Sequence, residues 1–170
     1  MTEASGADVA AVSGAVRRAL RGVPGAVAIV TTTYAGVRYG IAATAICAVS
    51  LDPPSMLVCV NRNSTLHDPI SQAERFSINI LDEAQGEVVA QFGSSAARGE
   101  RFTVGEWSEG RGLPLLAGAQ ASLICRRAQQ FGFGTHLIVI GVVEEVETSG
   151  TVAPLLYLNA QLTRVAHAGA

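Results

Sequence analysis

The sequence predicts a β-rich (α+β) fold in which a mostly antiparallel sheet closes into a barrel, with two or three peripheral helices. About seven runs rich in Val and Ile have strand-like patterning, and no strand–helix–strand alternation typical of parallel sheets separates them. Hydrophobic residues make up 49% of the 170 residues and charged residues only 15%, which is ample for one core. A sheet with so many apolar strands usually closes on itself to hide its edges.

A helix is predicted from Asp8, as its N-cap, to Arg21. Four apolar residues recur along it at helical spacing and form one face: Val9, Val12, Val16 and Leu20. Three arginines occupy its last turns, where cations complement the helix dipole: Arg17, Arg18 and Arg21. A solvated helix end is the favoured interpretation of this basic cluster, and contact with a dinucleotide phosphate is the alternative.

Residues 26–33 are rich in β-branched side chains and predict a strand, and the turn at 34–36 leads into a second strand over 37–50. Asp52-Pro53-Pro54 ends that strand at a corner, and an apolar strand over 56–60 follows. Ser64 or Thr65 is expected to cap a short helix over 66–73.

The second half begins with an alternating strand at 76–81 and a helix at 83–92, which has Val88, Val89 and Phe92 on one side. Residues 93–118, which include Arg98 and Trp107, have no clear periodicity, and a loop of this length is often functional. The remaining predicted elements are two long strands, 119–129 and 135–147, and a short one, 155–158. One domain is expected over 1–170, with loose termini at 1–7 and 166–170.

Composition excludes several kinds of protein. No apolar run is long enough for a membrane span, no signal peptide is evident, and a cytoplasmic protein is expected. The net charge of −2 offers no electrostatic footprint for nucleic acid. All twelve basic residues are arginines, so neither a Schiff-base lysine nor a P-loop lysine is available.

Few residues suggest side-chain catalysis. The three cysteines lie in apolar runs without a C-x-x-C motif and are expected to be reduced and buried: Cys47, Cys59 and Cys125. The histidines are far apart in sequence and form no metal or protease motif: His67, His136 and His167. Glu144 and Glu145 should face opposite sides of a strand at a solvated end. The fragment Gly132-Phe133-Gly134 is interpreted as a hairpin turn, since no helix follows it as a dinucleotide fingerprint requires.

Residues 40–70 carry the strongest functional signal. Large side chains are nearly absent from 42–50, so a flat group could lie against the backbone there. The loop 61–65 (NRNST) then offers short polar groups and backbone amides suited to a polyol or a phosphate. A flat ring with a polar, phosphorylated tail describes a flavin.

The same stretch carries a family resemblance. This stretch resembles the flavin reductase family. The positions that agree in register are Gly40, the segment 43–45 (ATA), the run 49–54 (VSLDPP), the segment 57–61 (LVCVN) and Ser64. The resemblance implies the FMN-binding split barrel, a Greek-key form of the predicted fold. It also implies NAD(P)H:flavin oxidoreductase activity, in which hydride passes from a reduced nicotinamide to FMN or FAD. A homodimer that supplies reduced flavin to a separate monooxygenase is the expected assembly and role.

The resemblance places site residues by position. Four would line the isoalloxazine, mostly through backbone groups: Thr44, Ala45, Ala48 and Ser50. Asn61, Ser64 and Thr65 would hold the ribityl chain and phosphate, and Arg101-Phe102 would close the site. Without the resemblance, Thr44 and Ser50 are ordinary strand or corner residues and Phe102 is a core aromatic. The family often has hydroxyl side chains at the positions of Ala42 and Ala48.

His136 opens an apolar strand after a Gly-rich turn, where an isolated histidine is usually a surface or structural residue. The segment 134–143 (GTHLIVIGVV) is similar to a family motif, and this implies that His136 lies beside the nicotinamide. Thr135 occupies the position of an aspartate in the family motif. This chain therefore lacks the carboxylate that would orient the imidazole. A non-catalytic flavin-binding module is the alternative function, and a pyridoxamine-phosphate oxidase is a weaker one. FMN against FAD and NADH against NADPH stay open.

Overall fold

The computed structural model of the chain describes residues 6–93, 99–150 and 152–166. The helices are α1 (Gly6–Leu20), α2 (His67–Gln72) and α3 (Gly86–Gly93). The strands are β1 (Gly25–Ala26), β2 (Ala28–Tyr34), β3 (Val37–Ala43), β4 (Ile46–Leu51), β5 (Pro54–Asn61), β6 (Arg75–Ile80), β7 (Trp107–Gly110), β8 (Leu113–Leu116), β9 (Ala121–Phe133), β10 (His136–Thr148), β11 (Leu155–Leu158) and β12 (Gln161–Arg164). Arg98, His167 and most of the predicted loose termini lie outside the described residues.

Seven strands form one sheet in the order β3-β2-β6-β9-β10-β5-β4, and each neighbouring pair is antiparallel. The end strands β3 and β4 are joined only by Thr44-Ala45. All seven strands contribute side chains to one core cluster, which also includes Leu66 and Ile70 from the start of α2 and the segment before it. The two ends of the sheet can share one core only because the sheet curls. The predicted β-rich, mostly antiparallel fold is therefore confirmed.

A second core cluster lies on the other face of the sheet, between β2 and α3, and includes Ile29, Val88 and Phe92. Beside it, buried Asn79 of β6 ties the β7–β8 hairpin to the sheet. Its Oδ1 accepts hydrogen bonds from Leu116 N at 3.0 Å and from Ser122 Oγ at 2.9 Å, and its Nδ2 donates to Ile29 O at 3.1 Å. Because the buried Asn79 amide makes these hydrogen bonds within the protein, it fixes the position of the hairpin over the sheet.

The prediction of one continuous strand over 37–50 is wrong. The strand ends at Ala43 and restarts at Ile46 as β4, which pairs with β5. The residues between these points, Thr44 and Ala45, include no Gly or Pro, so no strand-breaking residue marks this position. Residues 93–118 also contain a hairpin, β7–β8, and the last described segment contains β12, neither of which was predicted.

The predicted helix caps are also corrected. The first helix begins at Gly6, so Asp8 lies within its first turn instead of capping it. In α2 the N-cap position is Leu66, without a side-chain capping bond, so neither Ser64 nor Thr65 caps that helix. The Ser64 hydroxyl instead accepts from Leu66 N at 3.3 Å, and the Thr65 hydroxyl accepts from Arg101.

Helix α1 turns its apolar face to solvent. From Asp8 to Leu20 every residue is exposed except Gly14, which is half-buried. The predicted stripe is exposed by 54% at Val9, 62% at Val12, 49% at Val16 and 60% at Leu20. A helix of 15 residues is only marginally stable in water without packing, so an apolar stripe left in solvent is unusual for it.

Glu144 and Glu145 are not on opposite faces as predicted, because both carboxylates contact Arg111. The pairing of β9 with β10 shifts register between Val143 and Glu145, and this irregularity redirects the side chains. Glu144 is held by Arg75 Nε at 2.8 Å and by Arg126 Nε at 3.2 Å. The hydrogen bond from Arg75 lowers the pKa of Glu144, which marks this cluster as structural ion pairing.

The cysteines are free, as predicted, but differ in burial. Cys125 is buried in the barrel core, and desolvation raises its pKa to about 12. Cys59 is partly buried and Cys47 is exposed, so the prediction of burial is wrong for Cys47. No helix in the described part of the chain has the length and apolar character needed to cross a lipid bilayer.

Candidate functional site

A groove follows β3, the strand at one end of the seven-stranded sheet. Its first compartment encloses about 270 Å³. The floor is formed by the end of β3 and the link after it, with Ala42, Ala43 and Thr44. The walls are formed by Val27, Val89, Gly93 and Tyr157. Since the floor has only methyl-sized and hydroxyl side chains, a planar group can approach the backbone here. Thr44 lies in this compartment as expected.

The second compartment encloses about 300 Å³ and shares Ala42 and Gly93 with the first, so the two are continuous. Its lining is polar on one side, with Asn61, Asn63, Ser64, Thr65 and Arg101, and apolar on the other, with Ile41 and Phe92. The structure therefore brings together the three residues predicted for the polar tail and Arg101, which was predicted to close the site and lies 40 positions after Asn61 in sequence.

The loop 61–65 is held by its own hydrogen bonds. The N–H of Asn63 donates to Asn61 Oδ1 at 2.9 Å and that of Ser64 to Asn61 O at 2.9 Å. The N–H of Arg62 donates to Thr135 O at 2.9 Å. These three backbone donors are therefore already used, contrary to the expectation that backbone amides would bind a phosphate. The hydroxyls of Ser64 and Thr65, which accept within the protein, can still donate to a ligand.

Arg101 supplies a positive charge at the polar compartment. The residue is 7% exposed, and its Nη1 donates to Gly40 O at 2.8 Å and to the Thr65 hydroxyl. Gly40 itself is required to be small, because a Cβ there would come within 2.7 Å of the Phe92 ring. A guanidinium fixed on the β3 backbone is pre-positioned for an anion lying over the loop 61–65.

Phe102 has a different environment from that of Arg101. Its ring is half-buried against Phe92 and Trp107, with centroid distances of 5.2 Å and 5.0 Å. The guanidinium carbon of Arg38 lies 4.6 Å from the Phe102 ring centroid. This packing corresponds to the alternative of a core aromatic, and it supports Phe92, which lines the groove. A direct ligand contact of Phe102 stays a prediction.

Three predicted ring-binding residues lie on or just before β4. Ala45 and Ala48 are exposed, and Ala45 O accepts from Cys59 N at 3.0 Å. The Ser50 hydroxyl donates to Asp52 O at 2.9 Å and accepts from Asp52 N at 3.0 Å. Ser50 therefore stabilises the corner before the cis Asp52–Pro53 bond. This corresponds to the alternative interpretation of Ser50 as an ordinary corner residue.

His136 lies close to the polar loop, although the two are distant in sequence. It is the cross-strand partner of Asn61 in β5 and of Phe133 in β9. Its Nδ1 lies 3.0 Å from Thr135 Oγ1, so a hydroxyl takes the place of the family carboxylate. The turn is tied to the loop by Arg62, whose guanidinium donates to Gly134 O. His136 is exposed and accessible to a ligand.

Sequence reasoning missed Phe92, Gly93 and Tyr157 as groove residues. They belong to the end of α3 and to β11, and only packing brings them to β3. A glycine within a predicted strand, at position 40, was the sequence signal that another group approaches the backbone there. Among the described residues, no group of three or more His, Cys, Asp or Glu side chains is arranged to hold a metal ion.

Known proteins are similar to this chain in sequence. The family model of the flavin reductase like domain matches residues 20–166. The chain is 35% identical, over 90% of its length and 87% of the relative, to the FADH(2)-dependent resorcinol hydroxylase, reductase component, of Rhizobium sp.. It is 37% identical, over 92% of its length and 79% of the relative, to FMN reductase (NADH) RutF 1 of Methylorubrum extorquens.

A solved structure is similar over nearly the whole fold. It is the NADH:FAD oxidoreductase SgcE6 of Streptomyces globisporus C-1027 in complex with NAD and FAD fragments. The TM-score is 0.86 at 26% sequence identity, with 93% of this chain and 95% of that chain covered. Sequence and architecture thus point to the same group of proteins.

Proposed function

Because this chain belongs to the flavin reductase-like domain family, we propose that it oxidises NADH and passes the hydride to FMN or FAD, supplying reduced flavin to a separate monooxygenase. The observation that carries the proposal is the groove along β3, with a small-residue floor at one end and Arg101 with two hydroxyls at the other. Relatives named as NADH-dependent FMN reductase and as a hydroxylase reductase component support it.

The residues of the groove fit a flavin. Ala42, Ala43 and Thr44 would contact the ring, and Asn61, Ser64, Thr65 and Arg101 would hold the ribityl chain and phosphate. Bound flavin supplies the hydride acceptor. The protein's own contribution is to orient the two substrates and to exclude water, which requires no acid or base from the chain. This agrees with the few candidate catalytic side chains.

Steady-state oxidation of NADH and NADPH, followed at the nicotinamide absorbance with and without FMN, FAD or riboflavin, tests the proposal. We expect turnover of NADH that depends on added flavin. If flavin binds in a titration but neither nucleotide is oxidised, the protein is a flavin-binding module and the proposed reductase activity is wrong.

We propose that His136 positions the nicotinamide. Its exposed ring lies across from Asn61, which lines the polar compartment, so a second substrate bound beside the groove could contact it. His136→Ala is expected to lower kcat/KM for NADH about tenfold, the effect of one lost hydrogen bond, without changing the flavin Kd. Thr135→Val, which removes the hydroxyl beside Nδ1, should give a smaller decrease in the same direction. An unchanged kcat/KM in His136→Ala would remove this residue from the site.

We further propose a homodimer in the cytoplasm, with the chain as a single domain. The exposed stripe of α1 supports burial against a second copy. Leu20 and Tyr157 line one cleft, and Tyr157 also lines the groove, so such a partner would lie near the site. Light scattering should give twice the chain mass, and a monomer would contradict the dimer.

A further inference from the structure

A third cleft continues the groove past the polar compartment. It encloses about 570 Å³, and its lining includes Tyr34, Tyr39 and Asp68. Ser64 and Thr65 line both this cleft and the polar compartment, so the two spaces meet at these hydroxyls. An FMN placed as proposed above ends at the phosphate and would leave the third cleft empty.

The two tyrosines lie on one face of the β2–β3 hairpin. Tyr39 pairs with Thr32, and Tyr34 follows Thr32 by two positions, so the tyrosines are diagonal neighbours. The backbones of diagonal neighbours on an antiparallel sheet are about 7–8 Å apart, so both side chains can contact one flat ligand. Tyr39 is half-buried against the barrel core and Tyr34 is 40% exposed, so one ring is fixed and the other is accessible.

The third cleft also contains a carboxylate that suits the ribose of a nucleoside. Asp68 has an exposed carboxylate, of which one oxygen lies 2.7 Å from His67 Nδ1. A carboxylate accepts hydrogen bonds from the two hydroxyls of a ribose and repels a phosphate. The phosphates would therefore lie towards Thr65 and Arg101, on the side of the polar compartment. The third cleft thus combines a carboxylate with two aromatic rings, and it meets the cation and hydroxyls of the polar compartment at Ser64 and Thr65.

We propose that the third cleft is an adenylate subsite, which binds the adenosine part of a dinucleotide. FAD and NADH both carry this group, and continuity favours FAD as its source. The ring compartment, the polar compartment and the third cleft follow one another along β3 from Thr44 to Tyr39, over about 17 Å. The proposal rests on the flavin reductase function proposed above and makes FAD the preferred flavin.

Flavin titrations of the full chain, followed by flavin fluorescence, test the subsite without relying on turnover. The wild type should bind FAD more tightly than FMN. Tyr34→Ala should weaken FAD binding about tenfold, the size of one base–aromatic stacking contact, and leave FMN binding within about twofold. Tyr34→Phe keeps the ring and should retain the FAD preference. Asp68→Asn should weaken FAD binding and spare FMN binding.

The source of the adenylate is settled by measuring KM for NADH in the same variants with FMN as acceptor. A rise in this KM in Tyr34→Ala, with an unchanged ratio of FAD to FMN affinity, would overturn the assignment to FAD and give the cleft to NADH. If Tyr34→Ala changes neither FAD affinity nor KM for NADH, or weakens FMN as much as FAD, the subsite is wrong while flavin reduction stands. A wild type that binds no flavin would overturn the proposed function, and this subsite with it.

Discussion

Arg101→Met is expected to weaken FMN binding about 100-fold and to leave riboflavin binding within about twofold. Arg101 is the buried guanidinium at the polar compartment, fixed by Gly40 O and the Thr65 hydroxyl. Each hydrogen bond from a charged donor to a phosphate contributes about 1.5–3 kcal/mol, so the loss of one or two accounts for this factor. Riboflavin has no phosphate and reports separately on the ring compartment. Equilibrium titration of both ligands measures the difference.

Two variants act as controls for this effect. Arg101→Lys keeps the charge but not the planar fork, and it should bind FMN with intermediate affinity. Arg38→Met removes another guanidinium, which stacks on Phe102, and should leave FMN affinity unchanged. If Arg101→Met lowers riboflavin and FMN affinity by the same factor, Arg101 maintains the shape of the groove and does not bind the phosphate.

Gly141→Ala is expected to lower the free energy of unfolding by about 1–2 kcal/mol. A Cβ at Gly141 would come within 2.7 Å of the Phe76 ring and 2.8 Å of the Cys125 Cβ. Phe76 and Cys125 are fully buried in the barrel core, so neither can move aside freely. Overpacking of this kind costs about 1–3 kcal/mol and exceeds the gain of up to about 1 kcal/mol from a less flexible unfolded chain. Chemical denaturation measures the change.

Gly132 provides the matched control, because it lies in the same β9–β10 hairpin and a Cβ there would meet open space. Gly132→Ala has no such clash and should raise the free energy of unfolding by up to about 1 kcal/mol. Phe76→Leu makes room, so the double variant with Gly141→Ala should be more stable than the sum of the two single changes predicts. Strict additivity would show that contact with Phe76 is not the cause.

The longest strands could be predicted well from sequence. Strands β9 and β10 each begin with a long apolar run, and their bounds differ by only a few residues from those expected. The break between Ala43 and Ile46 was missed because it occurs among small residues, where packing at the sheet end decides the conformation. The β7–β8 hairpin was missed because its position depends on buried Asn79, which is far away in sequence.

The polar part of the site was predictable because its residues are adjacent in sequence: Asn61, Ser64 and Thr65 follow directly after a strand. The apolar walls were not, since Phe92, Gly93 and Tyr157 reach β3 only through the packing of α3 and β11. The cleft beside Tyr34 and Tyr39 was missed for a related reason. Strand pairing places these tyrosines on one face, and register is a property that a single strand does not specify.

The burial of Cys125 also bears on oxidative damage. Reduced flavin that escapes its acceptor reacts with dioxygen and yields hydrogen peroxide, which oxidises thiolates in preference to thiols. With a pKa raised to about 12, the Cys125 thiol stays protonated at neutral pH, and it is shielded within the barrel core. Sulfinic acid at this position would introduce a charge among buried apolar side chains. Keeping the thiol protonated and enclosed thus protects the barrel from the by-product of its own proposed reaction.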